Sequence, residues 1–218
     1  VLGINIGPNK DSDNRINDYL IGIEKFYEVA DYITVNISSP NTENLRHFHD
    51  EGKLQDLLKS ILETKKNLKT NIPIVVKISP DISETQINLI SEILLENDIS
   101  GIIISNTSES SREVLTDIQK HQKGGLSGKP IEKKSNLLIN KFYNLLKGKI
   151  KIIGVGGVDS GQSAYEKFLL GADYIQLYTG MVFQGPNIAG SIKKELKELL
   201  IRDGVKNFSE IIGNKTLS

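Results

Sequence analysis

Residues 32–46 read Tyr32-Ile-Thr-Val-Asn-Ile-Ser-Ser-Pro-Asn-Thr-Glu-Asn-Leu-Arg46, an apolar run that passes directly into polar side chains. The first six residues have the β-branched content of a buried strand, and Pro40 cannot continue that strand inside a sheet because it lacks an N–H. In parallel α/β folds, polar groups at the carboxyl end of a strand commonly bind the ligand. The stretch therefore predicts a strand with an active site at its end, and an ordinary Asx-turn with capping residues is the alternative.

The strand pattern recurs along the chain and alternates with amphipathic helices. Strands are predicted at residues 1–6, 32–37, 72–78, 101–105, 150–155 and 174–178. Helices are predicted at residues 15–30, 53–68, 84–97, 133–146, 162–170 and 188–201. This repeated βα order predicts a parallel sheet, either open and doubly wound or closed into a (β/α)₈ TIM barrel. Since eight strands close that barrel, six strands would leave it incomplete.

The composition excludes several classes of protein. The 27 basic and 27 acidic side chains cancel, so there is no overall positive field to attract nucleic acid. The chain contains no cysteine, which removes disulfides, thiolate metal sites and a cysteine nucleophile. Its apolar runs are too short to cross a bilayer. The chain begins with Val1 rather than Met, which suggests a processed, trimmed or partial chain.

A pair of histidines needs a separate interpretation. His47 and His49 flank a phenylalanine and resemble two ligands of a metal. No third ligand stands near them in the sequence, and the remaining histidine is the distant His121. A solvated lid is therefore expected here, and no metal site.

Seven short segments appear in a recognisable order. They are Gly3-Ile-Asn-Ile-Gly-Pro-Asn-Lys10, Asn36-Ile-Ser-Ser-Pro-Asn-Thr42, Val76-Lys-Ile-Ser-Pro-Asp81, Ser105-Asn-Thr107, Gly124-Gly-Leu-Ser-Gly128, Gly154-Val-Gly-Gly157 and Tyr178-Thr-Gly180. Together they resemble the class 2, membrane-associated dihydroorotate dehydrogenases, which are flavoenzymes of pyrimidine synthesis. The resemblance implies a TIM barrel whose first two strand–helix units are missing, so that residues 1–218 would form a single, partial FMN-binding barrel domain.

The resemblance also implies an activity, partners and a location. It implies oxidation of (S)-dihydroorotate to orotate, with FMN reduction and electron transfer to quinone, in de novo pyrimidine (UMP) biosynthesis. A missing N-terminal segment would touch the membrane and receive quinone, at the cytoplasmic side of a bacterial inner membrane. Fumarate- or NAD-linked relatives use a cysteine base, which this chain lacks. The alternatives are another FMN- or phosphate-binding barrel enzyme, or an inactive fragment of the dehydrogenase.

Catalytic and substrate-binding residues follow from the same resemblance. The oxidation removes a proton from C5 and a hydride from C6, so a base must face the flavin across the substrate. Ser39 matches the family's base, and Thr42 with a water matches its proton exit. Substrate contacts match Asn36, Asn41, Asn106 and Thr107. Carboxamides suit the ring amides and carboxylate of orotate, while turn chemistry at strand ends is the alternative interpretation.

The predicted cofactor site combines a buried cation with bare backbone. Lys77 interrupts an apolar run, where an unpaired ammonium would be costly, so it needs an anionic partner. The resemblance supplies the flavin N1–C2 edge, and an ion pair with a neighbouring acid is the alternative. Glycine clusters after the last two predicted strands suit a phosphate site built from backbone N–H groups. The family's flavin contacts match Asn5, Asn36, Lys77, Ser105, Gly128, Gly157, Tyr178 and Thr179.

Overall fold

The strands of this chain form one parallel sheet in sequence order. The structure, a computed structural model, describes residues 1–40, 45–110, 112, 113 and 115–215. Within that range the strands are β1 Gly3–Ile6, β2 Tyr32–Asn36, β3 Ile74–Lys77, β4 Gly101–Ile104, β5 Lys151–Val155 and β6 Tyr174–Gln176. Each strand pairs in parallel with the next one along the chain. A doubly wound sheet reverses its strand order at a switch point. This order has no reversal, which excludes the open alternative and fits a barrel.

Helices follow the strands as predicted, with small differences at their ends. They are α1 Arg15–Phe26, α2 Glu51–Asn67, α3 Glu84–Glu96, α4 Glu132–Leu146, α5 Gly161–Leu169, α6 Thr179–Gln184 and α7 Ile188–Arg202. Short 3₁₀ helices lie at Leu45–His49, Ile118–His121, Lys129–Ile131 and Phe208–Ile211. The sequence missed α6 because six residues are too few to show a helical period. In the described part of the chain, no helix is both long and apolar enough to span a bilayer.

Both faces of the sheet are buried, which explains the continuous apolar strand sequences. One face packs against the helices and includes Ile74, Val76 and Ile102. Residues of the opposite parity, Val75, Ile103 and Ile153, form a separate small cluster on the other face. The sheet curls around this second cluster into a half-barrel.

Side chains from distant strands meet across that curl. The Gln176 Nε2 atom on β6 donates a hydrogen bond to the Tyr32 hydroxyl on β2 at 3.2 Å. The Tyr32 ring lies over Gly3 of β1, where an added Cβ would come within 2.1 Å of it. The curl therefore brings the concave side chains of the sheet together and leaves the strand ends around one opening.

The described residues of the long loop after β4 are joined by hydrogen bonds. Ser108 and Leu126 exchange backbone hydrogen bonds of 3.0 and 2.7 Å, which close its base. The Arg112 guanidinium donates to three backbone carbonyls, those of Lys120, Gln122 and Gly124. The loop therefore presents its first and last residues to the same end of the sheet.

Candidate functional site

A cavity of about 720 Å³ lies at the carboxyl ends of β3 to β6. Its volume falls within the range of ~300–1,000 Å³ that is typical of small-molecule and cofactor pockets. Eight of the residues predicted for cofactor or substrate line it: Lys77, Ser105, Asn106, Thr107, Gly128, Gly157, Tyr178 and Thr179. The structure therefore brings together residues that lie up to a hundred positions apart in the sequence, and their individual roles stay predictions.

Other predicted residues lie outside this cavity. Asn36 is at the end of β2 and reaches the cavity through its hydrogen bond to Asn106. Ser39 follows the same strand, is half-buried and does not line the cavity. Asn5 is exposed on β1, at the other side of the half-barrel. Asn41 and Thr42 lie outside the described residues.

The two predicted substrate carboxamides are joined to each other. The Asn106 Nδ2 atom donates to Asn36 Oδ1 at 3.3 Å and to Ser38 Oγ at 3.0 Å. Ser38 Oγ also donates to Asn36 Oδ1 at 3.0 Å, so one carboxamide oxygen collects several donors. Asn106 Oδ1 accepts the N–H of Thr107 at 2.8 Å. Local turn chemistry is therefore present, as the alternative interpretation required, but the bond between Asn36 and Asn106 also fixes two strand ends together.

Lys77 is partly buried, as the apolar run around it predicted. The alternative interpretation of an ion pair with a neighbouring acid is tested by its contacts. Its side chain is half-buried and lines the cavity at the end of β3. Burial lowers the pKa of Lys77 below its ordinary value, because burial penalises the charged form. Among the described residues, no carboxylate and no hydrogen-bond acceptor contacts its ammonium. The alternative of a structural ion pair is therefore excluded for the described part of the chain.

Glycines expose backbone at the opposite end of the cavity. Gly156 and Gly157 have φ angles of 114° and 79°, a region that favours glycine. A Cβ on Gly157 would lie 2.4 Å from the Cβ of Glu132. A Cβ on Gly128, whose φ angle is 75°, would lie 2.8 Å from the Thr179 side chain. These contacts exclude a side chain at Gly157 and Gly128, and both glycines line the cavity, as a phosphate site built from bare backbone requires.

The expectation of a solvated lid at the histidine pair is wrong for one of its members. His47 is exposed, but His49 is buried, with 1% of its surface accessible. Its Nδ1 atom lies 2.8 Å from the Arg46 carbonyl oxygen, and its Nε2 atom accepts the Ser79 N–H at 3.1 Å. Nδ1 must therefore carry the proton, and burial lowers the pKa of His49. Across the described residues, no group of three potential metal ligands occurs.

Sequence reasoning missed several polar residues around the cavity. Ser127 lines it and accepts a hydrogen bond from Thr179 Oγ1 at 2.9 Å. Ser38 joins the two carboxamides, although the sequence singled out only its neighbour Ser39. Both serines stand inside segments that carry the family resemblance, which was the available signal. Asp81 ends another of these segments and Arg46 lies four residues beyond one, and neither was predicted as a site residue.

The comparison with known families supports the same interpretation. The family model for dihydroorotate dehydrogenase matches residues 1–200. The chain belongs to the dihydroorotate dehydrogenase family. Among curated relatives, a dihydroorotate dehydrogenase (quinone) of Bartonella tribocorum is 44% identical over 214 residues. A second, of Agrobacterium fabrum, is 42% identical over 215 residues. These matches cover 96% and 97% of this chain but 59% of each relative, so the chain spans little more than half their length.

Solved structures of the family confirm the fold class. The ligand-free dihydroorotate dehydrogenase of Eimeria tenella matches with a TM-score of 0.93 and 31% identity. That match covers 98% of this chain and 64% of the crystallised one. The same enzyme in complex with ferulenol gives a TM-score of 0.95 and 32% identity, covering 99% and 62%. The six-stranded half-barrel is thus part of the TIM barrel that the sequence predicted.

Proposed function

We propose that this chain forms the FMN- and substrate-binding part of a quinone-dependent dihydroorotate dehydrogenase, which oxidises (S)-dihydroorotate to orotate in de novo pyrimidine biosynthesis. The observation that carries the proposal is the unpaired ammonium of Lys77, which lies in the same cavity as the Asn106 carboxamide and the glycines. Family membership supports the reaction, and the relatives that match are named for a quinone acceptor.

The residues present fit FMN in three respects. Lys77 offers a positive charge that no described carboxylate neutralises, as the electron-rich edge of a flavin requires. Gly156 and Gly157 offer bare backbone, as a phosphate monoester requires. Ser105 and Thr179 add hydroxyl groups on the same walls. When bound, FMN supplies a two-electron acceptor for the hydride from C6 of the substrate.

The chain's own groups bind the substrate and move its proton. Asn36 Oδ1 is occupied by protein donors, which leaves the Asn36 Nδ2 protons to donate to a carbonyl or carboxylate oxygen of the substrate. Asn106 Oδ1 keeps a second lone pair for a ring N–H. Ser39 acts as the base for the C5 proton. Because an isolated hydroxyl is a weak base, the proton passes on through Thr42 and water.

Electron transfer and location complete the proposal. Quinone accepts the electrons at the cytoplasmic side of a bacterial inner membrane, where the enzyme is peripheral. The segment that contacts the membrane lies outside these 218 residues. The balance of basic and acidic side chains supports an enzyme that binds no nucleic acid.

An anaerobic visible spectrum tests the activity directly. The product of the complete gene and the 218-residue chain are each purified with FMN, and their spectra are recorded before and after dihydroorotate is added. Bleaching of the flavin band in both would support the reaction and the sufficiency of this chain. Bleaching in the longer protein alone would make the chain an incomplete site. A flavin-loaded longer protein that dihydroorotate cannot bleach would contradict the proposal.

A further inference from the structure

Asp81 is the centre of a charged cluster beside the cavity, and nothing in the proposed reaction uses it. It follows β3, and its own N–H donates to Ser79 Oγ at 3.0 Å. Its carboxylate accepts hydrogen bonds from Ser108 Oγ at 2.6 Å, Ser110 Oγ at 2.7 Å, Lys134 Nζ at 2.5 Å, the Glu109 N–H at 2.8 Å and Arg46 Nη1 at 3.1 Å. Three of these donors belong to residues 108–110, which directly follow the predicted substrate residues Asn106 and Thr107.

Arg46 ties the same segment to the loop after β2. Its Nη1 atom lies 2.8 Å from Glu109 Oε2 as well as 3.1 Å from Asp81. Its Nη2 atom donates to the backbone carbonyl of Thr107 at 3.4 Å. The backbone of Arg46 is held in turn, because His49 donates to its carbonyl. One guanidinium thus spans three loops, which a lysine ammonium with a single donor atom cannot do.

We propose that Asp81 and Arg46 are positioning residues, which hold residues 107–110 by charge so that the hydroxyl of Thr107, beside the carboxamide of Asn106, meets the substrate preorganised. The inference rests on the proposed function, since it assigns Asn106 and Thr107 to the substrate. It adds two residues to the site that bind neither substrate nor cofactor.

The carboxylate charge, and not merely the shape of Asp81, carries this role. Burial would raise the pKa of Asp81, but hydrogen bonds from Lys134, Ser108, Ser110 and the Glu109 N–H outweigh it and hold the pKa well below its ordinary value. The carboxyl group of Asp81 is therefore ionised at neutral pH. An asparagine would turn one acceptor oxygen into a donor that faces other donors, so Asp81→Asn should release the segment with almost no change in volume.

Because Thr107 directly precedes residues 108–110, release of those residues should change how Thr107 meets the substrate. The Thr107 side chain packs against Gly125, where an added Cβ would lie 1.8 Å from Thr107 Oγ1. The Asn106 N–H donates to the Ile78 carbonyl at 2.9 Å, so its backbone stays with the sheet even if residues 108–110 move. We therefore expect substrate affinity to change while the sheet and the cavity glycines stay intact.

The test measures orotate affinity through the change that orotate causes in the flavin spectrum. It uses the FMN-loaded product of the complete gene, first as wild type and then as Asp81→Asn and Arg46→Lys. The control variant is Glu84→Gln, which breaks an exposed ion pair between Glu84 and Lys141 that links α3 to α4 and does not line the cavity. FMN affinity and the midpoint of thermal unfolding are recorded for every variant.

We expect the two variants to lose affinity for orotate but not for FMN. Orotate should bind about tenfold more weakly to Asp81→Asn, and about three- to tenfold more weakly to Arg46→Lys, with FMN affinity within about twofold of wild type. Glu84→Gln should leave both affinities unchanged. Orotate affinity within twofold of wild type in Arg46→Lys would overturn the inference, as would an equal loss of FMN affinity.

Two further outcomes are also decisive. If Asp81→Asn does not fold, the Arg46→Lys result decides on its own. If the flavin-loaded wild type does not bind orotate, the proposed function fails and this inference with it, whereas normal binding by the wild type and by both variants would sink the inference alone.

Discussion

Lys167 and Lys77 are both withdrawn from solvent, but they differ in whether the protein supplies a partner for the ammonium group. Lys167 of α5 is fully buried, and its ammonium donates to Ser135 Oγ at 3.0 Å and to Asn136 Oδ1 at 2.6 Å. Lys77 is half-buried at the end of β3, and among the described residues nothing accepts a hydrogen bond from it. The first ammonium is satisfied inside the protein, and the second is open to the cavity.

The difference separates a charge satisfied inside the protein from one that is available to a ligand, which is the role proposed for Lys77. Ser135, which accepts a hydrogen bond from Lys167, also donates from its Oγ atom to the Val155 carbonyl at 2.8 Å. Lys167 is therefore linked through Ser135 to the end of β5. Burial lowers the pKa of Lys167 to about 8, and the same cause lowers the pKa of Lys77. A lowered pKa alone therefore does not identify a binding site. The identifying feature is the lack of a partner at a cavity wall.

The largest expected effect is on the stability of the structural lysine. Lys167→Ala should destabilise the fold by about 3 kcal/mol, because it empties an enclosed space and leaves the Asn136 oxygen without its donor. Chemical denaturation of the purified chain measures this change. The matched control is Lys197→Ala on α7, where the side chain is exposed and the change should stay within about 0.5 kcal/mol. Similar losses in both variants would remove the structural role.

A pH series on the wild type and Lys167→Ala tests whether Lys167 loses its proton in the folded protein. The folded pKa of Lys167 is about 8 and the ordinary value is 10.5, so the unfolded chain binds more protons between these values. The free energy of unfolding of the wild type, relative to that of Lys167→Ala, should therefore increase as the pH rises from about 8 to 10.5. A flat difference across this window would show that Lys167 keeps its proton in the fold.

The next effect concerns Asn106, which bonds to its neighbours and is predicted to contact the substrate. Asn106→Ala removes the bond to Asn36 and a predicted contact with the substrate. Orotate should bind more than about tenfold more weakly, since an unmatched polar contact of this kind is worth ~1–3 kcal/mol. Titration of the flavin-loaded protein with orotate measures the loss. Unchanged orotate affinity would remove Asn106 from the site.

A smaller effect of opposite sign is expected for the ligand-binding lysine. Without FMN, Lys77→Met replaces an unpaired, partly desolvated ammonium with an apolar side chain of similar length. The free energy of unfolding should rise by up to about 1 kcal/mol, in contrast to the loss at Lys167. Denaturation of the FMN-free protein measures it, and a loss of stability would mean that Lys77 also has a structural role.

The smallest expected effect is on the pH dependence of stability, and it concerns His49, which is buried and has two hydrogen-bond partners. His49→Gln can keep a donor for the Arg46 carbonyl and an acceptor for the Ser79 N–H, but it cannot titrate. Because burial lowers the folded pKa of His49, the unfolded chain binds the extra proton below about pH 6.5. Wild-type stability should therefore fall faster than that of His49→Gln as the pH drops from 7 to 5. Parallel pH profiles would contradict this assignment.

Much of the fold was predictable because it is local in the sequence. Each strand is a short β-branched run, and every one of them appears within a few residues of its predicted bounds. The start of α3 is equally local, since Ser83 and Gln86, three residues apart, cap it reciprocally. Cavity residues were found because they end these strands, and strand ends of a parallel sheet meet at one edge.

What the sequence could not predict depends on contacts between distant positions. No site role was predicted for Asp81, because its donors stand 27 to 53 residues later in the chain, or 35 residues earlier. His49 was expected in solvent, and its burial depends on Ser79, which is 30 residues away. The lack of a partner for Lys77 is likewise invisible in the sequence, because it is a property of everything packed around the residue.

FMN affinity in two variants of one cavity tests the central claim most directly. Lys129 also lines the cavity, but its ammonium is already paired with Glu132 at 2.9 Å and lies 3.6 Å from Asp159. We predict that Lys77→Met weakens FMN binding about thirtyfold or more, the equivalent of ~2 kcal/mol, whereas Lys129→Met weakens it less than about fivefold. Equal losses in the two variants, or a larger loss in Lys129→Met, would contradict the claim that the unpaired lysine marks the flavin site.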